Sequence, residues 1–288
     1  MNAATPAPRS CLSVPGSSDR MVAKALASAA DEVVIDLEDA VPADLKDAAR
    51  ASMVALLASA PPGRRTAVRV NAVGTPWCHQ DIVALAQLAE PPASIVVPKV
   101  ESAGDIAFVE RLLTGASGRA AGQGIRIQAL IESAPGLVQI DLIAGASAAL
   151  EALVLGYADL SASLGRDPDD APWDTVRERL LWAARGFGLR AIDGPHLAVA
   201  VDDAFRQGLD AARRCGLDGK WVIHPDQIDA VNAAFTPDAE QVAWAGQVLA
   251  ALAEGERAGL GAVALDGAML DEAIAVRARR VLARAQAR

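Results

Sequence analysis

Apolar residues along this chain come in blocks of two alternating kinds. One is a brief continuous run, rich in β-branched residues and bounded by Gly, Pro or Asp. The other is a longer stretch in which apolar positions return every three or four residues. The first pattern predicts a buried strand and the second an amphipathic helix. Ser10–Val14 is the first strand, closed by Pro15-Gly16-Ser17-Ser18, and a helix follows with Ser17 or Ser18 as N-cap and Met21, Val22, Ala25, Leu26 and Ala29 on one face. Glu32–Leu37, Thr66–Asn71 and Ser94–Val97 are the next strands, separated by helices within Val41–Leu57 and Asp81–Ala89 and followed by one over Asp105–Leu113. Ile125–Ile131 and Leu153–Gly156 are the fifth and sixth, joined by a helix carrying Leu137, Ile140 and Ile143. Helices over Trp173–Phe187 and Val201–Cys215 flank a seventh strand, Leu189–Ile192, and Lys220–Ile223 is the eighth, closed by His224-Pro225.

Strand and helix alternating eight times over about 225 residues is the count and size of a (β/α)8 TIM barrel, expected over residues 1–235. A doubly wound open sheet competes, but it lacks a Gly-rich dinucleotide loop after its first strand. Residues 236–288 predict a C-terminal helical extension: Pro237 starts one helix, Gly255–Gly267 interrupts, and Leu270–Ala287 is helical again. Its Arg277, Arg279, Arg280 and Arg284 are expected to form a solvated face.

Composition narrows the class. Of 288 residues 52% are hydrophobic, enough for a large core, and the net charge of −9 argues against general nucleic-acid binding. Cys11, Cys78 and Cys215 are scattered and fit neither a metal spacing nor a disulfide framework. Met1–Pro8 has no apolar run, and no apolar stretch reaches the roughly 18–20 residues needed to span a bilayer, so a soluble, cytoplasmic protein is expected.

The candidate chemistry lies where strands end. Glu38, Asp39, Arg69, Lys99, Glu101, Glu132, Asp159, Asp193 and His224 each follow an apolar run closely, so a barrel gathers them on its C-terminal rim. Glu132 and Asp159 end the fifth and sixth strands with no Lys or Arg in their own runs. Such a pair suits a hard cation such as Mg2+, although each acid could equally cap the helix after it. Arg69 suits a substrate carboxylate, because its planar fork accepts one in bidentate geometry. A cation beside that Arg suits a 2-oxo acid, which offers keto and carboxylate oxygens together. His224 is a possible base, with a buried structural hydrogen bond as the plainer role.

Several blocks then carry a family resemblance. They are Arg9–Gly16, Ile35-Asp36-Leu37-Glu38-Asp39-Ala40-Val41 with Lys46, Val68-Arg69-Val70-Asn71 with Thr75, Val97-Pro98-Lys99-Val100-Glu101 and Ile131-Glu132-Ser133. Leu155–Leu160, Ile192-Asp193-Gly194, Gly219–Ile228 and Asp266–Asp271 complete the set. The chain resembles the citrate lyase β-subunit-like group of the HpcH/HpaI aldolase superfamily, related to malyl-CoA and citramalyl-CoA lyases. The resemblance implies a (β/α)8 barrel, Mg2+ held by Glu132 and Asp159, and a substrate carboxylate met by Arg69, with Glu38 and Lys99 also at the substrate. It implies that Asp271 serves as acid/base in a neighbouring subunit's site, within a homotrimer or homohexamer; the plainer role for Asp271 is an N-cap for the helix starting near Glu272. It further implies cleavage or formation of a C–C bond between an acyl-CoA enolate and a 2-oxo acid. Close relatives carry an aromatic residue where this chain has Ser13, while Arg20 and Lys24 remain as partners for the CoA phosphates. A citrate lyase subunit working on an acyl-carrier-protein thioester, a malyl-CoA-type thioesterase, and a binding protein without turnover are the alternatives; the presence of Asp271 argues against the last.

Overall fold

The computed structural model describes residues 7–58, 63–119, 124–168, 171–259 and 263–286. Eight parallel strands close on themselves: β1 (Ser10–Pro15), β2 (Glu32–Asp36), β3 (Thr66–Arg69), β4 (Ser94–Val97), β5 (Arg126–Ile131), β6 (Leu150–Leu155), β7 (Arg190–Asp193) and β8 (Gly219–Val222). Closure is made by β1 against β8, with Ser10, Cys11 and Leu12 opposite Lys220, Trp221 and Val222. The fold is the (β/α)8 TIM barrel that the alternation predicts.

Outside the barrel run α1 (Asp19–Leu26), α2 (Lys46–Ala58), α3 (Cys78–Ala86), α4 (Ala103–Ser117), α5 (Ala134–Val138), α6 (Ile140–Ala144), α7 (Tyr157–Leu164), α8 (Asp174–Gly186) and α9 (Asp203–Cys215), followed by α10 (Ile228–Phe235). The single helix expected between β5 and β6 is two short ones, broken at Gln139, whose backbone leaves the helical region at φ −92° and ψ 7°. Ser133 caps the first through Gly136 N–H, at 3.2 Å. Asp159 does not cap α7 either, because Gly156 holds the cap position and Asp159 lies inside the first turn.

Period-two alternation layers the barrel interior. Cys11, Val34, Ala67, Val96, Leu130, Val154, Ile192 and Trp221 form its apolar middle. Below it, Glu32 is fully buried and accepts from Arg65 Nε at 2.7 Å and from Gln128 Nε2 at 3.1 Å, which satisfies a charge that would otherwise be costly. Above it, two residues further along their strands, stand Asp36, Arg69 and Glu132. The middle layer therefore positions the functional layer.

The chain divides into two compact units, Pro8–Asn232 and the stretch from Ala233 onward. In the second, α11 (Ala239–Arg257) begins with a capping box between Asp238 and Gln241. It packs on α12 (Glu272–Gln286) around Ala245, Val248, Leu270 and Ala278. The expected break is in fact a hairpin, β9 (Val263–Leu265) antiparallel to β10 (Ala268–Leu270). Its turn is Asp266-Gly267, both at positive φ (51° and 81°), the conformation that tight hairpins require. Leu270 accordingly belongs to a strand, and the last helix starts at Glu272. Arg277, Arg279 and Arg280 are exposed as expected, with Arg277 lying over the Trp244 ring at 4.7 Å, while Arg284 is half-buried.

Candidate active site

The C-terminal rim of the barrel carries one connected cluster of charge. Strand register sets Asp36 beside Arg69. The two form a bidentate pair, Nε to Oδ1 at 2.7 Å and Nη2 to Oδ2 at 2.6 Å. Asp36 also accepts the backbone N–H of Glu38, at 2.8 Å, so its carboxylate is fixed from both sides. The remaining Arg69 nitrogen, Nη1, lies 3.0 Å from Glu38 Oε2 and 3.7 Å from Asp39 Oδ2. The fork read from the sequence as facing substrate is therefore engaged by Asp36, and Nη1 is the edge turned to the other acids. The carboxylates around it raise the guanidinium above its ordinary pKa against the effect of burial.

Lys99 extends the cluster. Its Nζ lies 2.5 Å from Glu38 Oε1, 3.3 Å from Asp39 Oδ1 and 4.0 Å from Asp159 Oδ2. Its backbone N–H donates to Glu132 Oε1 at 2.7 Å. Lys46, a buried cation on α2, holds the strand-end backbone by donating to the carbonyls of Leu37 at 2.8 Å and Glu38 at 2.7 Å. Asp36 and Lys46 carry no signal of these contacts in the sequence, since both depend on how the strand ends pack.

Glu132 is 3% exposed, and among the described residues no Lys or Arg pairs with it. Burial pushes its carboxyl up to about 8; the Lys99 amide opposes this, and the charges of Asp159 and Glu38 add to it. Gly156 makes the approach possible: a Cβ there would sit 2.5 Å from Glu132 Oε2 and 2.6 Å from its Cβ. Asp36, Glu38, Asp39, Glu132 and Asp159 thus outnumber Arg69, Lys99 and Lys46 at one rim. Two buried atoms beside Arg69 also lack a hydrogen bond, Glu38 Oε2 and the indole N–H of Trp221, whose ring is 5.9 Å from the guanidinium.

Carboxylates in excess, hard oxygen donors and a buried acid without a counter-ion fit Mg2+. Among the described residues no three His, Cys, Asp or Glu side chains form a complete cage.

The remaining rim residues separate from this cluster. Asp193 faces away from the barrel interior and is fully buried, accepting from Lys220 Nζ at 2.5 Å, from Arg177 Nε at 3.2 Å and from the Tyr157 hydroxyl. His224 is not the buried hydrogen-bonder expected of it: its side chain is 40% exposed, and Nδ1 accepts from Asp226 N–H at 3.3 Å to close a 3-10 turn over Pro225–Gln227. Glu101 is exposed. Arg20 and Lys24 are exposed on α1, one turn apart. In the second unit Asp271 is exposed, and its Oδ1 caps α12 by accepting from Ile274 N–H at 2.9 Å.

Residues 9–225 match the family described as HpcH/HpaI aldolase/citrate lyase. The chain belongs to this family. Among its relatives is an L-malyl-CoA/beta-methylmalyl-CoA lyase of Cereibacter sphaeroides, 33% identical over 94% of this chain and 92% of that one. A (3S)-malyl-CoA thioesterase of the same species is 35% identical over 97% and 95%. Among solved structures, CitE from Mycobacterium tuberculosis in complex with magnesium, acetoacetate and coenzyme A superposes with a TM-score of 0.76, at 33% identity over 99% of both chains. Family members with lyase and with thioesterase names therefore match this chain over nearly its whole length. Among the described residues no helix is long and apolar enough to cross a membrane.

Proposed function

We propose that the chain is an Mg2+-dependent carbon–carbon lyase acting on a 3-hydroxyacyl-CoA thioester of the malyl-, citramalyl- or citryl-CoA type. It releases an acyl-CoA and a 2-oxo acid. The observation that carries this reading is the pair of strand-end acids, Glu132 and Asp159, in a rim where carboxylates exceed cations. Glu132 and Asp159 hold Mg2+, which when bound supplies Lewis-acid stabilisation of negative charge on substrate oxygen. Arg69 Nη1 meets the carboxylate of the oxo acid. Asp36 keeps the guanidinium in place, and Glu38 and Lys99 set the charge around the substrate.

In cleavage a rim carboxylate or water takes the proton of the 3-hydroxyl, the C2–C3 bond breaks, and its electron pair stays on C2 as the enolate of the acyl-CoA. A proton must then reach that carbon. We assign its delivery to Asp271 of a neighbouring subunit, in a homotrimer or homohexamer in the cytoplasm. Support comes from its exposure at the start of α12 with one oxygen engaged by the helix. Arg20 and Lys24 are assigned to the CoA phosphates as exposed cations on one face of α1.

A thioesterase is the second reading, favoured by the 35% identity to a chain of that name. Purified protein incubated with malyl-, citramalyl- and citryl-CoA, with Mg2+ and with EDTA, separates the two. A lyase yields 2-oxo acid and acyl-CoA, whereas a thioesterase yields free thiol and no oxo acid. Turnover undiminished by EDTA counts against the metal assignment. Mixing inactive Asp271→Ala chains with inactive Glu132→Gln chains tests the shared site. Recovery of part of the wild-type rate is expected, and no recovery on verified mixing removes Asp271 from the neighbour's site.

A further inference from the structure

Lys99 is the residue at which the two proposed Mg2+ ligands meet. Its φ of 52° lies in the left-handed region, which strains a residue with a side chain and suits glycine. In that conformation its N–H donates to Glu132 Oε1 at 2.7 Å. Its ammonium, 42% exposed along the side chain, lies among Glu38, Asp39 and Asp159 at 2.5, 3.3 and 4.0 Å. One residue therefore touches the first ligand by its main chain and reaches the second by its charge. Glycine would adopt this backbone without strain and donate the same amide, so what lysine adds here is the ammonium.

We propose that Lys99 is a positioning residue with two separable parts: its amide fixes Glu132, and its ammonium is a resident counter-ion that holds the acidic rim together and lowers the rim's affinity for Mg2+. The inference rests on the assignment of Glu132 and Asp159 as the Mg2+ ligands. The carboxylates of the rim repel one another, and a fixed cation offsets that repulsion when no divalent ion is bound. Once Mg2+ is held, the same ammonium opposes it. A divalent ion roughly 5 Å from an ammonium is repelled, in a water-like dielectric, by enough to weaken binding about tenfold. The ammonium in return adds positive charge for an anionic substrate. Lys99 thus trades metal affinity for substrate affinity, and the metal remains exchangeable.

The two parts are separated by three full-length variants, with Mg2+ titrated calorimetrically in the absence of substrate. Lys99→Gly keeps the backbone and the amide, Lys99→Met keeps most of the bulk without charge, and Lys99→Arg keeps the charge. Lys99→Gly and Lys99→Met are expected to bind Mg2+ about tenfold more tightly than wild type, with Lys99→Arg unchanged, while the KM for the CoA thioester rises in the uncharged pair. A lysine that only braces the loop would make both uncharged variants bind Mg2+ more weakly. Equal or weaker binding in Lys99→Gly, in a preparation where Glu132→Gln abolishes binding, overturns the inference and leaves the metal assignment standing. Absence of Mg2+ binding in wild type overturns both.

Discussion

Glu132 and Asp193 both stand near the C-terminal end of a barrel strand and both are sealed from solvent, at 3% and 0% exposure. Their carboxyls are nevertheless driven in opposite directions. Burial takes Glu132 up to about 8, with Asp159 and Glu38 adding to the shift. Burial would raise Asp193 as well, but Lys220 and Arg177 pull it below the ordinary aspartate range. Around Asp193 every charge is answered: Lys220 also donates to the Gly194 carbonyl at 2.5 Å, and Arg177 reaches the Tyr157 hydroxyl at 2.9 Å. The rim around Glu132 is left with acid in excess. A matched cluster ties α7 and α8 to the barrel wall. An unmatched one retains electrostatic free energy that a bound cation releases.

The largest effect should come from the unmatched side. Glu132→Gln or Asp159→Asn should lower Mg2+-dependent turnover to its level in EDTA, a loss beyond the roughly 10–100-fold typical of an outer-shell partner. Melting should be no lower than in wild type for Glu132→Gln, because a strained acid is removed. Turnover close to wild type in either variant would contradict the distinction.

The matched side should respond in stability. Lys220→Met strands the Asp193 carboxylate in a buried site and should cost about 3–5 kcal/mol in urea unfolding. Adding Asp193→Leu should restore much of that, since a buried pair is often replaceable by apolar residues. A silent Lys220→Met would mean that water reaches Asp193.

Arg69→Lys sharpens the comparison, because Arg69 is held by a bidentate pair at Asp36 and also faces the acid-rich rim at Glu38 and Asp39. Loss of a charge-assisted contact to substrate, roughly 1.5–3 kcal/mol, should reduce kcat/KM by about ten- to a hundredfold. Reduced stability with unchanged kcat/KM would assign Arg69 to Asp36 alone.

The smallest signal lies in the pH dependence of unfolding in EDTA. Asp193 titrates lower in the folded protein than in the unfolded chain, so its stabilisation is present above the ordinary aspartate range and fades as pH falls through the folded value. Glu132 titrates higher when folded, so the folded state holds an extra proton between the ordinary carboxylate range and about 8, and stability declines as pH rises across that window. The slope is at most about 1.4 kcal/mol per pH unit for one proton, and Glu132→Gln should remove it. An identical slope in that variant would assign the decline to other groups.

The barrel was legible because short apolar runs, each closed by Gly, Pro or a polar residue, alternate with helix-period stretches, so strand count and rim order follow from one-dimensional pattern. The place of Glu132 just after the fifth strand was legible in the same way, whereas Asp159 lies inside the first turn of α7 rather than at the strand end. The grip of Asp36 on Arg69 was not, since it depends on the register between β2 and β3 and on which face of each strand looks inward. The partners of Asp193 were hidden more deeply: Lys220 reads as the first residue of a strand and Arg177 as an ordinary helix position, and only barrel closure and packing of α8 bring them together. The hairpin at Asp266-Gly267 is different in kind. Its Asp-Gly turn signal was in plain view, and the short flanking runs were absorbed into the neighbouring helix and break. Likewise Lys99 announces itself as a cation, but nothing in a sequence marks its positive φ.

Gly156 gives the site an unusual vulnerability. A methyl group added there would overlap the Glu132 side chain, so the place of that acid is held by an atom the protein does not have. A single base change in a glycine codon can supply it as alanine, leaving every polar residue of the rim in place. Descendants of this chain that carry it would keep every acid and cation of the rim, and an inventory of those residues alone would not reveal that Glu132 had been displaced.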